Sequence, residues 1–264
     1  MKILSDFDGV LTDSVEEISR MRQIFLGSFD RPDYIGGIIE ELEGKIRSEP
    51  TRHGWISEGR LSGFSSEDGF IWGVAISHLL DQLTRTGQID RSLLESNRFG
   101  KDSFVDVGGE AFRAMASETQ SGGQNPFDSK ALGFFKHAKD SGVEVVVVSN
   151  SETDRIVDIL GRGGVDLNSI RIRGGAKKFT LAPKPQATQF GNLQIDISRP
   201  YYESILRDEM PDAVVGDVFS FDLALPAALG IKTFLRRREY TPQYILENIP
   251  KSTKVVEQVS DLLV

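Results

Sequence analysis

A chain of 264 residues, 39% of them hydrophobic and 27% charged, has a globular composition and the length for one large domain or for a core with an inserted module. It has no cysteine, which excludes a disulfide framework, a thiolate metal site and a cysteine nucleophile. The formal net charge of −8 argues against non-specific nucleic-acid binding, which draws on an excess of lysine and arginine, so an anionic small substrate would need a local concentration of positive charge. In chain order, the opening MKILSDFDGV has too short an apolar run for a signal peptide, and no stretch approaches the roughly 18 apolar residues of a spanning helix. The expectation is a cytoplasmic monomer or homodimer with no membrane or nucleic-acid partner.

Lys2 to Ser5 reads as a short strand ending on Asp6. From Ser14 to Asn125 apolar residues recur at helical spacing: Val15, Ile18, Met21 and Phe25, then Ile35, Ile38, Ile39, Leu42 and Ile46, then Phe70, Ile71, Val74, Ala75 and Leu79. This segment is expected to be all-helical. It leads into Gln120-Ser121-Gly122-Gly123-Gln124-Asn125-Pro126, a run of turn formers suited to a hinge. A helix is predicted over Phe127 to Lys139, feeding a valine-rich strand over Val143 to Val148 that ends at Ser149-Asn150. Further strands are predicted at Ile170 to Ile172, Ala213 to Val215 and Ile231 to Leu235, with a helix over Tyr201 to Glu209 opened by Pro200. Alternation in Phe179-Thr180-Leu181 and Leu193 to Ile197 predicts a hairpin just before Arg199. Strands alternating with helices imply an α/β fold with a doubly wound parallel sheet, formed by 1–14 and 126–264 and interrupted by an inserted helical domain over 15–125.

The chemistry concentrates where strands end, which is where open α/β sheets bind ligands. Asp6-Phe7-Asp8-Gly9-Val10-Leu11-Thr12-Asp13 follows the first strand, and Gly216-Asp217-Val218-Phe219-Ser220-Phe221-Asp222 follows a later one. An Asp-x-Asp alone is most often a solvated turn. Two acidic pairs at neighbouring strand ends can share a hard divalent cation, while one carboxylate attacks phosphorus and another handles a proton. Ser149 and Asn150 offer phosphate a hydroxyl and an amide without adding negative charge.

In these motifs, their order and their placement at strand ends, the chain resembles the haloacid dehalogenase superfamily over roughly residues 1–14 and 126–240. The resemblance implies a Rossmann-like core and a C1 cap domain hinged near Ser14 and Asn125. It implies Asp6 as the nucleophile that forms an aspartyl-phosphate and Asp8 as general acid and then base. Mg2+ would be held by the Asp6 carboxylate, the Asp8 carbonyl and Asp217, with Asp222 as a direct or water-mediated ligand, and phosphate by Gly9, Ser149 and Asn150. The family's motif lysine is expected where Ser198-Arg199-Pro200 stands, so Arg199 by position and Lys178 by chemistry are both candidates for that role.

The activity implied is magnesium-dependent hydrolysis of a small phosphorylated metabolite, with a phosphosugar mutase or a non-catalytic ligand-binding member as alternatives. A carbon-halogen dehalogenase fits less well, because that branch lacks the second acid that Asp8 supplies. Arg52, His53, Trp55, Arg60 and Arg98 are the insert's polar or aromatic candidates for substrate choice. Arg236-Arg237-Arg238 reads as a solvated turn after the last predicted strand.

Overall fold

The computed structural model describes residues 1–121 and 125–263; Gly122, Gly123 and Gln124 of the expected hinge lie outside the described residues. The chain runs through β1 (Lys2–Ser5), α1 (Val15–Leu26), α2 (Pro32–Ser48), β2 (Gly54–Ser57), β3 (Arg60–Phe64), α3 (Gly69–Arg85), α4 (Ser92–Glu95) and α5 (Phe104–Gln120). There follow α6 (Ala131–Asp140), β4 (Glu144–Val148), α7 (Thr153–Arg162), β5 (Ile170–Arg173), β6 (Ala187–Phe190), β7 (Leu193–Asp196) and α8 (Pro200–Glu209). β8 (Ala213–Gly216), α9 (Ala224–Ala228), β9 (Lys232–Arg236), α10 (Gln243–Asn248) and β10 (Lys254–Val256) complete it. Residue contacts divide the chain into an α/β unit, holding residues 1–14, 56–63 and 125 onward, and a second, mainly helical unit holding 15–55 and, among the described residues, 64–121.

In the α/β unit six parallel strands lie in the order β10-β9-β8-β1-β4-β5. Leu4 sits opposite Val146 on one side and Val214 on the other, so β1 is covered at both edges and its neighbours carry the apolar runs that such strands need. Chain order reverses between β1 and β8, which opens a crevice at the carboxyl ends of those two strands. Packed on the sheet, α6 buries Ala131, Phe134, Phe135 and Ala138, one stripe at helical spacing, against Ile3, Val145, Val147, Ala213 and Val215. This helix starts four residues later than predicted because Phe127 is spent in an antiparallel bridge with Thr12.

The predicted hairpin is displaced. Its first arm is β6, not Phe179-Thr180-Leu181, because Gly191 at φ +53° makes the tight turn that joins β6 to β7, leaving Phe179 to Leu181 in an irregular loop. β10 escaped prediction since a three-residue, largely exposed edge strand carries no apolar pattern. Within the expected helical insert, β2 and β3 form a ribbon whose two-residue turn has positive φ at both Glu58 and Gly59. Its tip belongs with the α/β unit: Ser57 Oγ accepts from Leu181 N–H at 2.9 Å, Arg60 Nε lies 3.0 Å from Asp196, and Ser62 Oγ donates to the Phe179 carbonyl at 2.7 Å. The insert boundaries 15–125 thus differ from the observed units at residues 56–63 and at Asn125.

The second unit packs Ile24, Phe25, Ile35, Ile39, Leu42, Ile46, Leu79 and Leu80 against Phe104, Val107, Ala111 and Met115. Asp68 caps α3 by accepting from Phe70 and Ile71 N–H, and Ser103 caps α5 by accepting from Asp106 N–H. No helix among the described residues is long and apolar enough to cross a membrane.

An ion cluster closes one end of α8. Glu209, buried, lies 2.7 Å from Arg171, 2.9 Å from Arg173 and 3.5 Å from Lys2. Burial pushes its carboxyl up, but the hydrogen bond from Arg173 and the charges of Arg171, Arg173 and Lys2 outweigh it and hold it below the ordinary range. The stabilisation this gives is complete above the unfolded value of about 4.3 and is lost as pH falls through the lower folded value. Glu209→Gln is expected to cost about 2 kcal/mol at pH 7, with urea midpoints of the two proteins converging as pH falls through the lowered folded value; a gap that does not narrow with falling pH would refute the charge account.

Candidate active site

β1 delivers Asp6 to the crevice, its N–H bonded to the Val215 carbonyl at 2.9 Å, and β8 delivers Asp217 directly after Gly216. Phe219–Leu223 forms a π-helical turn, a local widening often found at functional sites, which carries Asp222. Asp222 is held there by its own carboxylate, which accepts from Val218 N–H at 3.1 Å, and by its carbonyl, which accepts from the buried Tyr202 hydroxyl at 2.9 Å. One carboxylate oxygen from each of Asp6, Asp217 and Asp222 lies within 4.8 Å of the other two, and all three residues are buried. Glycine makes the approach possible. A Cβ at Gly9, where φ is +74°, would stand 1.8 Å from Asp217 Oδ2, and one at Gly216 would stand 2.3 Å from Asp222 Cβ.

Of the two basic candidates, Lys178 reaches the carboxylates. Its Nζ donates to Asp6 Oδ1 at 2.6 Å and to Asp222 Oδ1 at 2.8 Å, over the Tyr202 ring. Burial works against its charge, but Asp222 and Asp6 outweigh burial and keep it protonated. Asn150 positions it, accepting from Lys178 N–H at 2.7 Å, while the Ser149 carbonyl accepts from Ala176 N–H at 2.8 Å. Arg199 requires a correction: its buried guanidinium donates to the hydroxyl and carbonyl of Ser62 and to the carbonyls of Lys178 and Ser220. A rigid fork of donors suits three backbone carbonyls, so Arg199 braces the Lys178 loop from behind and is not placed as a phosphate ligand.

Asp8 has its own set of donors. Its Oδ1 accepts from Arg155 at 2.8 Å, and its Oδ2 accepts from Ser151 at 2.7 Å and from Ser149 at 3.1 Å. Burial pushes the Asp8 carboxyl up, yet the Arg155 charge and the three hydrogen bonds bring it below the ordinary range. The Asp8 carboxylate is thus not one of the three that cluster, and Ser149 and Asn150, expected on phosphate, hold Asp8 and the Lys178 loop in this structure. Gly9 N–H, also expected on phosphate, donates to Thr12 Oγ1 at 3.2 Å. Sequence reading missed Arg155 and Ser151. The available signal was an arginine beside Ile156, on the same buried face of α7 as Ile159 and Leu160, where a charge needs a buried partner.

The arginine run, which begins on the last residue of β9, is not a solvated turn. Arg236 is buried, donating to the carbonyls of Gly9 and Val10 and, at 2.7 Å, to Asp128. Arg238, two positions on, donates to the Gly9 carbonyl at 2.9 Å and to Asp13 at 3.1 Å. Together they grip the loop that follows Asp8, and only Arg237 between them is exposed.

Three buried carboxylates around one lysine carry excess negative charge. Burial and the neighbouring Asp222 push Asp6 well above the ordinary carboxylate range, and Lys178 only partly offsets them. A small, hard cation with oxygen ligands fits this donor set, whose close approach the two glycines allow.

A scan against protein-family models finds no match, nor does a search of curated proteins. Solved structures do match. A Bacillus subtilis protein described as a HAD-hydrolase, YfnB, bound to magnesium is 11% identical, with 99% of this chain and 96% of that one covered and a TM-score of 0.54. A Clostridium difficile protein described as a phosphatase is 16% identical, covering 100% and 98%, with a TM-score of 0.53. A hydrolase of the haloacid dehalogenase-like family from Streptococcus pneumoniae is 14% identical, covering 99% and 96%, with a TM-score of 0.50. At these identities the likeness is one of fold, and it spans nearly the whole chain: the protein has the fold of the haloacid dehalogenase superfamily.

Proposed function

We propose that the chain is a phosphatase that hydrolyses a small phosphorylated metabolite through an aspartyl-phosphate on Asp6, with a divalent cation, magnesium by preference, at Asp6, Asp217 and Asp222. The observation that carries this reading is the meeting of three buried carboxylates with Lys178 at the strand ends that also present Asp8. Asp6 attacks phosphorus, and Asp8, having taken a proton from solvent, gives it to the leaving oxygen. Asp8 then takes a proton from the water that opens the aspartyl-phosphate. Lys178 keeps Asp6 in place between the two steps. When bound, the cation supplies the positive charge that lets a phosphoryl anion approach an acidic site. Magnesium in the Bacillus structure and the description of the Clostridium protein as a phosphatase support the same reading.

The test is release of inorganic phosphate from p-nitrophenyl phosphate and a panel of phosphorylated metabolites, with Mg2+ and with EDTA. Turnover that requires the metal is expected. Silence across the panel with metal present would overturn the phosphatase reading.

A further inference from the structure

The two aspartates of Asp6-Phe7-Asp8 have separate cationic partners from separate segments. Lys178 holds Asp6, and Arg155 holds Asp8. Arg155 is 4% exposed on the apolar face of α7, and a buried guanidinium is expensive unless it is paired. Its Nη1 donates to Asp8 Oδ1 at 2.8 Å and to Ser151 Oγ at 2.7 Å, and Ser151 in turn donates to Asp8 Oδ2 at 2.7 Å. Phe7 packs under the guanidinium, with its ring centroid 5.6 Å from the central carbon. Both oxygens of Asp8 are therefore anchored by the segment that follows β4, and the anchor is independent of the cluster around Asp6.

From this geometry we infer that Arg155 is a positioning residue for proton transfer: with Ser151 it fixes where the Asp8 carboxyl stands and so governs delivery of a proton to the leaving oxygen. The inference rests on the phosphatase reading and deepens it. In the first step the Asp6 oxygen bonds to phosphorus, the bond from phosphorus to the leaving oxygen breaks, and a proton that Asp8 has taken up from solvent goes to that oxygen. In the second step water oxygen bonds to phosphorus, the Asp6–phosphorus link breaks, and one water proton returns to Asp8. An alkoxide needs the first proton far more than a nitrophenolate does, so a displaced Asp8 penalises alkyl phosphates selectively.

The experiment compares kcat/KM for p-nitrophenyl phosphate and for an alkyl phosphate, glycerol phosphate or whichever alkyl member of the panel the wild type turns over best, in wild type, Arg155→Gln, Arg155→Lys and Ser151→Ala. For Arg155→Gln the expected losses are less than about 10-fold on the aryl ester and about 10²–10³-fold on the alkyl ester. Arg155→Lys is expected to recover part of the difference. Both substrates are read on one preparation, so any unfolded fraction cancels in their ratio. Should Arg155→Gln not fold, Ser151→Ala is expected to shift the ratio the same way by a smaller factor. Equal losses on both esters, or an unchanged ratio in Ser151→Ala, would overturn the inference while leaving the phosphatase reading standing. A wild type inactive on every ester would overturn that reading and the inference with it.

Discussion

Asp6→Asn is expected to lose about 10⁴-fold or more of the phosphatase activity and yet to melt at a higher temperature than wild type in the absence of metal. The first effect follows from removing the proposed nucleophile. The second follows from charge: Asp6, buried and beside Asp222, has its carboxyl held above the ordinary range despite Lys178. A carboxyl whose folded value is raised contributes stability at low pH and loses it as pH rises through the folded value, so at neutral pH, above the unfolded value, the Asp6 carboxyl weighs against the fold. Asparagine has the same shape, removes the charge and still accepts from Lys178. For a domain of this size each 1 kcal/mol relieved raises the melting temperature by about 2–4 °C. Mg2+ at 100 times its dissociation constant should stabilise wild type by about 2.7 kcal/mol and move the variant far less. A metal-free variant that melts below wild type would refute the charge account, and equal Mg2+ shifts would remove Asp6 from the metal set.

Lys178→Met has the opposite sign in stability. Removing the ammonium leaves Asp6 and Asp222 facing each other in a buried site without their shared cation, and breaking a buried pair in this way costs about 3–5 kcal/mol. The urea midpoint should fall with little change in slope, and activity should fall about 10³-fold. Added Mg2+ should restore part of the lost stability, because it relieves the same repulsion. Lys178→Arg should not rescue activity, since a planar guanidinium is larger than the point charge lodged between two carboxylates and the Tyr202 ring. An unchanged midpoint in Lys178→Met would show that the pair does not hold the site together.

The ribbon tip at residues 56–63 illustrates why domain boundaries were only partly legible. Apolar periodicity reports which face of a segment is buried, but not against what, and the Glu58-Gly59 turn lacks the Asn-Gly or Asp-Gly signature of a two-residue hairpin. Arg199 illustrates the same limit for function. It stands at the position in chain order where a site cation was expected, yet its partners are the carbonyls of Ser62, Lys178 and Ser220, and no local pattern announces a carbonyl as a partner.

Sequence by itself determined the parallel sheet and the strand ends bearing Asp6, Asp8, Asp217 and Asp222, because short apolar runs are local features, and an acidic pair after each of two such runs carries a meaning that neither pair carries alone. Tertiary structure alone decided that Lys178 meets Asp6 across 172 positions, that Arg155 takes Asp8, and that Arg236 and Arg238 grip the loop between the first strand and the first helix. The physical reason is that a buried cation is selected by whichever carboxylates and carbonyls the folded chain leaves to be compensated, and that demand exists only once distant strand ends have been brought together.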